Sequence, residues 1–125
     1  MELQNWENNI YKHKDIIYSY INWRHLSKYE VLSESFIRDF ANELDWELIC
    51  IHQKLSESFM REFANGLYWD IICSSQKLSE SFIREFANKV NWEAISISQT
   101  LSTSFIREFS DRVNWKYISR VQKLN

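Results

Sequence analysis

The sequence is poor in the residues that break helices and build loops around ligands. Its 125 residues include one glycine and no proline, which disfavours β-hairpin turns and glycine-rich phosphate loops. This scarcity favours helices joined by short polar turns. No apolar run approaches the roughly 20 residues that a membrane-spanning helix requires. We therefore predict that no segment of the chain spans a membrane.

The chain also lacks the basic excess that is typical of a general nucleic-acid binder. Its formal net charge is -2, whereas proteins that bind the phosphate backbone carry a positive surface. The charge is uneven, because residues 107–125 hold five basic and two acidic residues, a net +3. Residues 1–106 then carry -5, since the whole chain carries -2. Nucleic acid is disfavoured as a partner, and the basic end is interpreted mainly as a solvated surface.

We also expect no secretory leader, because Met1–Glu7 is polar and acidic and no apolar stretch follows it. We therefore expect a cytoplasmic protein. The two cysteines, Cys50 and Cys73, each stand four residues after a tryptophan. We predict that both are buried, reduced thiols at a core position that takes a small residue. No Cys-x2-Cys pair or His-Cys cluster indicates a metal site, and we predict neither a metal nor a cofactor.

Tryptophan, by contrast, is abundant and regularly spaced. Such a fixed interval marks a tandem repeat. Each repeat opens with Leu-Ser-x-Ser-Phe, and its tryptophan follows 14 residues after the leucine, as in Leu78 to Trp92. Five of the six tryptophans are spaced 23 residues apart: Trp23, Trp46, Trp69, Trp92 and Trp115.

Each repeat predicts two short helices, because its apolar residues fall on one face at helical spacing. The face of the first helix carries Phe36, Ile37, Phe40, Ala41 and Leu44, and that of the second carries Trp46, Ile49, Cys50 and Gln53. A serine before the first helix, and an aspartate or asparagine before the second, predict N-caps. The predicted caps are Ser33, Ser56, Ser79, Asn22, Asp45, Asn91 and Asn114; Tyr68 stands at one such position and cannot cap.

The fold class follows from these helical pairs. Helices this short are stable only when they stack on neighbours, as in an α-solenoid. We predict an all-α protein, a short right-handed α-solenoid of about four and a half helical hairpins. Residues 1–21 depart from the repeat and predict an irregular N-terminal helical cap. Residues 22–125 are predicted to form the tandem repeats in one continuous domain.

Two polar ladders repeat with the same period. Glutamates four residues before Arg38, Arg61 and Arg84 predict ion pairs within each helix, in the favourable order. Thr103 replaces that glutamate before Arg107, which leaves this arginine available to bind a partner. Glutamine recurs on the tryptophan face, and we predict that its amide bonds the turn backbone of a neighbouring repeat. These glutamines are Gln53, Gln76, Gln99 and Gln122.

The run from Trp92 to Phe109 reads Trp-x2-Ile-Ser-x2-Gln-x-Leu-Ser-x-Ser-Phe-Ile-Arg-Glu-Phe. It resembles short tandem repeats in uncharacterised proteins of large DNA viruses, phages and AT-rich microbial genomes. The likeness covers about residues 22–125. It implies a helical-repeat fold and a viral or mobile-element origin, which would place the protein in the host cytosol. Such an origin implies a host or defence protein as the partner, and the resemblance implies no catalytic activity.

The outer face of the second helix varies between repeats. Positions one, two, five and six after each tryptophan lie opposite the core face. There Leu48, Ile51, Ile71 and Ile97 are predicted to form an exposed apolar strip, as protein contact surfaces do. The alternative is that these residues pack against the other helix layer. The partner-binding candidates are Leu48, Ile51, His52, Ile71, Ile97, Tyr117, Arg107 and Arg120.

We therefore predict a non-enzymatic protein–protein interaction module with no catalytic residues, which binds and inhibits a host or defence factor. The alternative is a self-assembling scaffold protein. Its acidic body, its basic C-terminal end and a last helix that no additional element covers would allow it to stack head to tail or to form a homo-oligomer through that end.

Overall fold

The structure, a computed structural model, describes residues 3–17 and 20–122. These residues form ten α-helices joined by short turns, and none of them lies in a β-strand. The predicted all-α fold of tandem helical hairpins, the repeat type of a short solenoid, is therefore confirmed.

Two types of helix alternate along the chain after α1, the N-terminal helix Asn5–Ile17, which kinks at His13. The Trp helices, which begin at a tryptophan, are α2 Trp23–Tyr29, α4 Trp46–His52, α6 Trp69–Ser75, α8 Trp92–Ser98 and α10 Trp115–Val121. The Phe helices between them are α3 Glu34–Asp39, α5 Glu57–Glu62, α7 Glu80–Glu85 and α9 Thr103–Glu108. Helices of six or seven residues are marginal in isolation, so contacts with neighbouring repeats must stabilise them.

Serine caps begin the Phe helices as predicted. The Ser79 hydroxyl, for example, accepts the N–H of Phe82 at 3.1 Å. This bond satisfies one of the backbone donors that a helix leaves open at its start. The same cap is formed by Ser33, Ser56 and Ser102.

The Trp helices are capped less uniformly. Asn22, Asp45 and Asn91 each accept a helix N–H through the side chain, whereas Tyr68 does not, all as predicted. The predicted side-chain cap at Asn114 is wrong. No helix N–H reaches its amide oxygen, because the N–H of Tyr117 bonds the Asn114 carbonyl oxygen at 3.1 Å instead.

The chain divides into two compact units, residues 1–53 and residues 54–125. In the first unit, α2 packs along α4. In the second unit, α6 packs along α8 and α8 along α10, so that three Trp helices form one row. The right-handed sense of the array and the continuity of residues 22–125 as one domain stay predictions.

Aromatic stacking joins a Trp helix to the Phe helix that follows it. In the second unit, the Trp92 ring centroid lies 6.2 Å from that of Phe105 and 5.0 Å from that of Phe109. Contacts of this kind add to the burial of apolar area. The arrangement recurs for Trp69 with Phe82 and Phe86, and in the first unit for Trp23 with Phe36 and Phe40.

Buried glutamines join neighbouring repeats through the backbone, as predicted. Gln99 is 5% exposed, and its Nε2 donates to the carbonyl oxygens of Cys73 and Gln76, both at 2.7 Å. Its Oε1 accepts the N–H of Leu78 at 2.9 Å. One amide thus satisfies three backbone groups on two repeats. The corresponding three bonds are made by Gln53 and by Gln122.

The position four residues after a tryptophan needs an acceptor as well as a small side chain. Ser96 is fully buried, and its hydroxyl oxygen accepts the N–H of Asn114 at 2.9 Å, where the next Trp helix begins. The Cys73 sulfur accepts the N–H of Asn91 in the same way, at 3.4 Å. Ser27 does so in the first unit. The prediction of a small core residue is confirmed. The sequence did not predict that this residue also accepts the N–H before the next Trp helix.

The predicted ion pairs within single helices are wrong in the second unit. Arg61 Nε lies 2.8 Å from Oε1 of Glu85, which belongs to the next Phe helix. Arg84 Nη2 lies 2.8 Å from Oε1 of Glu108 in the same arrangement. The hydrogen bond from Arg84 lowers the pKa of Glu108 below its usual value. Stacking therefore brings the glutamate of the next repeat to each of these arginines.

The glutamates that were expected to pair with these arginines bind the next N-cap instead. Glu57 accepts the backbone N–H of Ser79 at 2.7 Å and its hydroxyl at 2.8 Å. Glu80 holds Ser102 in the same way. Each glutamate thus makes two hydrogen bonds to an N-cap serine instead of one ion pair within its own helix. An exposed ion pair of that kind contributes little to the stability of the protein.

The N-terminal helix α1 binds the N-cap of α3 through a glutamate, as a Phe helix binds the N-cap of the next Phe helix. Glu7 is fully buried, and its Oε2 accepts both the N–H and the hydroxyl of Ser33 at 3.0 Å. The Trp6 ring meets Phe36 edge-on at 5.3 Å between centroids. The repeat pattern does not predict this role of Glu7, because Glu7 stands 26 residues before Ser33, whereas Glu57 stands 22 residues before Ser79.

Candidate protein-binding surface

The row of Trp helices in the second unit carries an outer face, defined as positions one, two, five and six after each tryptophan. On α6, α8 and α10, positions one, five and six are exposed and position two is half-buried. Ile97 on α8 is 42% exposed, although Ile95 and Ser96 beside it are fully buried. The Ile97 side chain thus offers accessible apolar surface on a helix whose opposite side is packed in the core.

Four candidate residues occupy this face of the second unit: Arg120, which is charged, and three apolar residues. Ile97 is exposed, and Ile71 and Tyr117 are half-buried. They belong to three neighbouring helices of one row, since α8 packs along both α6 and α10. These three apolar candidates therefore lie on neighbouring helices of one row, and their contact with a partner stays a prediction.

Charged residues border the apolar part of the outer face. Asp70 and Glu93 are exposed at the starts of α6 and α8, whereas Lys116 and Arg120 are exposed on α10. The Lys116 ammonium lies 5.9 Å from the centroid of the Tyr117 ring. The face thus changes from acidic to basic along the row.

The outer face of the first unit agrees with the prediction only in part. Ile51 and His52 on α4 are exposed as predicted. The predicted exposure of Leu48 is wrong, because its side chain is 9% exposed and belongs to the core. Trp helices that pack side by side cover their flanks as well as their inner faces, and α2 packs along α4 in this unit.

Arg107 occupies a different part of the second unit. It lies on α9, a Phe helix, and not on the row of Trp helices. Its side chain is exposed, and within the described residues it forms no ion pair. Thr103 is not the reason, because Arg61 and Arg84 pair with a glutamate of the next Phe helix and not with the residue four positions before them. That Arg107 binds a partner stays a prediction.

A polar groove of about 330 Å³ lies at the C-terminal ends of α6 and α8, directly after Ile97. The sequence did not indicate it, because its residues are ordinary turn positions in single repeats. Hydroxyl and ammonium groups there supply hydrogen-bond partners of the kind found at the rim of protein interfaces. Its lining includes Ser74, Ser75, Lys77, Ser98 and Thr100.

The search for metal and membrane sites gives two further findings. Across residues 3–17 and 20–122, no three His, Cys, Asp or Glu side chains come together to hold a metal ion. No helix in the same part of the chain is long and apolar enough to cross a membrane.

Both cysteines are buried, as predicted, and neither forms a disulfide. Burial raises the pKa of the Cys73 thiol to about 11, against the opposing hydrogen bond from Asn91. The thiolate is the reactive form of cysteine, so Cys73 should be nearly inert at neutral pH.

We expect the folded protein to react with Ellman's reagent at pH 7.5 far more slowly than the denatured protein. Denaturation should release two rapidly reacting thiols, and the native rate should be slower by about a hundredfold or more. The Cys50→Ser variant isolates Cys73 for the measurement. A fast native reaction in that variant would contradict the burial and the raised pKa.

Comparison with known proteins identifies no relative: no family model, curated protein or solved structure matches the chain.

Proposed function

We propose that the protein is a non-enzymatic protein-binding module that contacts its partner through the outer face of the second unit. The supporting observation is the 42% exposure of Ile97 between acidic and basic borders. An apolar centre with a charged, polar rim is typical of protein contact surfaces. The polar groove beside Ile97 extends that rim.

The chemistry of this face restricts the partner. Its apolar residues favour a partner that presents an apolar side chain at the centre of the contact. Its acidic residues on α6 and α8, and its basic residues on α10, favour a partner with the opposite order of charge. The resemblance to viral and phage repeats supports a host or defence protein in the cytosol as the class, and inhibition as the outcome.

We expect Ile97→Ser to retain the fold and to weaken partner binding. Because the side chain is exposed, the free energy of unfolding should change by no more than about 0.5 kcal/mol. Affinity capture from cytosol of the native source, quantified by mass spectrometry, would compare this variant with the wild type. A specific partner should be depleted by about tenfold with the variant.

Two further substitutions make that experiment decisive. Val31→Ser removes an exposed apolar side chain from the turn between α2 and α3, at a position that is not part of an outer face as defined above, and should capture the partner normally. Leu48→Ser should lower the free energy of unfolding by about 2–5 kcal/mol, because it empties a core position. Equal capture by Ile97→Ser and Val31→Ser would refute the outer face as the contact surface.

The self-assembling scaffold remains the alternative. It requires one copy to offer a surface that the C-terminal end of another can bind. Sedimentation velocity at several concentrations and two salt concentrations tests it. A strict monomer at high concentration would exclude self-assembly and would leave the outer-face proposal intact.

A further inference from the structure

Tyr68 stands at a position where three other repeats place a helix cap. Asn22, Asp45 and Asn91 each accept a backbone N–H at the start of their Trp helix through the side chain. The backbone of Tyr68 has the same extended conformation, but α6 has no side-chain cap. A helix without such a cap is less stable, so the tyrosine lowers the stability of α6.

Tyr68 gives the fold no contact that offsets this loss. Its side chain is 49% exposed. Within the described residues, its ring stacks on no other aromatic ring and its hydroxyl makes no hydrogen bond. A tyrosine that serves the core is normally buried and bonds a partner through its hydroxyl. Packing and capping therefore do not explain why this repeat carries a tyrosine here.

A hollow of about 340 Å³ lies beside this tyrosine, at the start of α6. Trp69, one of its lining residues, is fixed because its indole N–H donates to the Ala64 carbonyl oxygen at 2.9 Å. The volume is at the lower end of the range for ligand pockets, so it suits one large side chain. The lining consists of Leu67, Tyr68, Trp69, Asp70 and Ile71.

Asp70 gives the hollow a negative charge. Its carboxylate is exposed, and one oxygen accepts the side-chain N–H of Asn91 at 3.0 Å. Within the described residues no cation pairs with it. An exposed carboxylate beside an apolar surface favours a partner that carries a positive charge next to its apolar group.

We propose that this hollow binds an aromatic side chain of the protein partner that is followed in the partner's sequence by a lysine or an arginine. The aromatic ring packs against Tyr68 and Trp69, since contacts between aromatic rings add to the burial of apolar area. The cation pairs with Asp70. This inference rests on the proposed function, because Asp70 and Ile71 belong to the outer face.

Three blocked dipeptides test the chemistry of the hollow: N-acetyl-Phe-Lys-amide, N-acetyl-Ala-Lys-amide and N-acetyl-Phe-Glu-amide. Each is titrated into the whole ¹⁵N-labelled protein, and the amide chemical shifts of residues 67–71 are followed. We expect Phe-Lys to bind saturably with a dissociation constant of about 1 mM, as befits so small a ligand. Ala-Lys should cause no saturable shift. Phe-Glu should bind about three- to fivefold more weakly, because Asp70 repels its carboxylate.

Tyr68→Asn should change stability and binding in opposite directions. It supplies the cap that Asn91 supplies to α8, so Tm should rise by about 2–8 °C. It also removes the ring, so binding of Phe-Lys should weaken more than about fivefold. Tyr29→Asn is the matched control: it removes a tyrosine that is 63% exposed in the first unit, and Phe-Lys should bind normally.

Asp70→Asn tests the charge separately. Asparagine keeps an oxygen that can accept the Asn91 N–H, so the fold should be retained. Binding of Phe-Lys should weaken, and the preference for Phe-Lys over Phe-Glu should disappear. An unchanged preference would overturn the assignment of the cation to Asp70.

The other results are equally decisive. The proposal is overturned if Phe-Lys causes no saturable shifts at residues 67–71, or if Ala-Lys or the Tyr68→Asn variant binds as well as the original pair. A lower Tm in Tyr68→Asn would overturn it as well, because the tyrosine would then support the fold. Ile97→Ser should leave dipeptide binding unchanged. Failure of the dipeptides with normal loss of partner capture in Ile97→Ser therefore refutes the hollow alone, and the reverse result refutes the outer face.

Discussion

Gln99→Leu should destabilise the protein by about 3–5 kcal/mol. The substitution keeps the volume of the side chain but removes the amide that bonds the N–H of Leu78 and the carbonyl oxygens of Cys73 and Gln76. Each buried polar group left without a partner costs about 1–3 kcal/mol. Urea unfolding followed by circular dichroism would measure the loss, which is a large part of the 5–15 kcal/mol typical of a domain.

Gln122→Leu is the matched control for that experiment. Gln122 makes the same three bonds, to Leu101, Ser96 and Gln99, but its side chain is half-buried. Water can reach the backbone groups that lose their bonds to Gln122, so the free energy of unfolding should fall by only about 1 kcal/mol. Equal losses in the two variants would show that burial of the amide does not determine its contribution.

Trp92→Ala should lower the free energy of unfolding by about 3–5 kcal/mol, as is typical when a packed aromatic side chain is removed from a core. The ring contacts Phe105 and Phe109, and its indole N–H donates to the Ala87 carbonyl oxygen at 3.0 Å. The substitution removes the stacking that joins α8 to α9. Thermal and urea unfolding would both report the loss.

Trp115→Ala separates the stacking from the rest of the tryptophan's contribution. Trp115 makes the same indole bond, to Ser110 at 2.9 Å, but no ring of the described residues packs on it. The expected loss is therefore about 1 kcal/mol, close to that of one hydrogen bond. If the two tryptophans contributed equally, the stack of aromatic rings would not be what stabilises the repeats.

Part of the candidate surface could be predicted from single repeats. The exposure of Ile51 and Ile97 follows from helical periodicity, because both stand opposite the fixed face of their helix. Periodicity fails for Leu48, which stands at an equivalent angle and is buried. The difference arises because the parallel packing of Trp helices covers one flank of each helix, and no pattern within one repeat records which flank that is.

The sequence by itself determined the helices, their serine caps and their core faces, because these depend on residues within four or five positions of one another. The glutamine bonds could also be predicted, since a buried amide that recurs in every repeat must find backbone partners. Only the tertiary structure decided which groups meet between repeats. Arg84 bonds Glu108 rather than Glu80, Ser96 bonds the N–H of Asn114, and the Trp115 ring is left exposed. The reason is geometric: side chains some 20 residues apart become neighbours only when the helices stack, and the distances set by that stacking select among the chemically equivalent partners that each repeat offers.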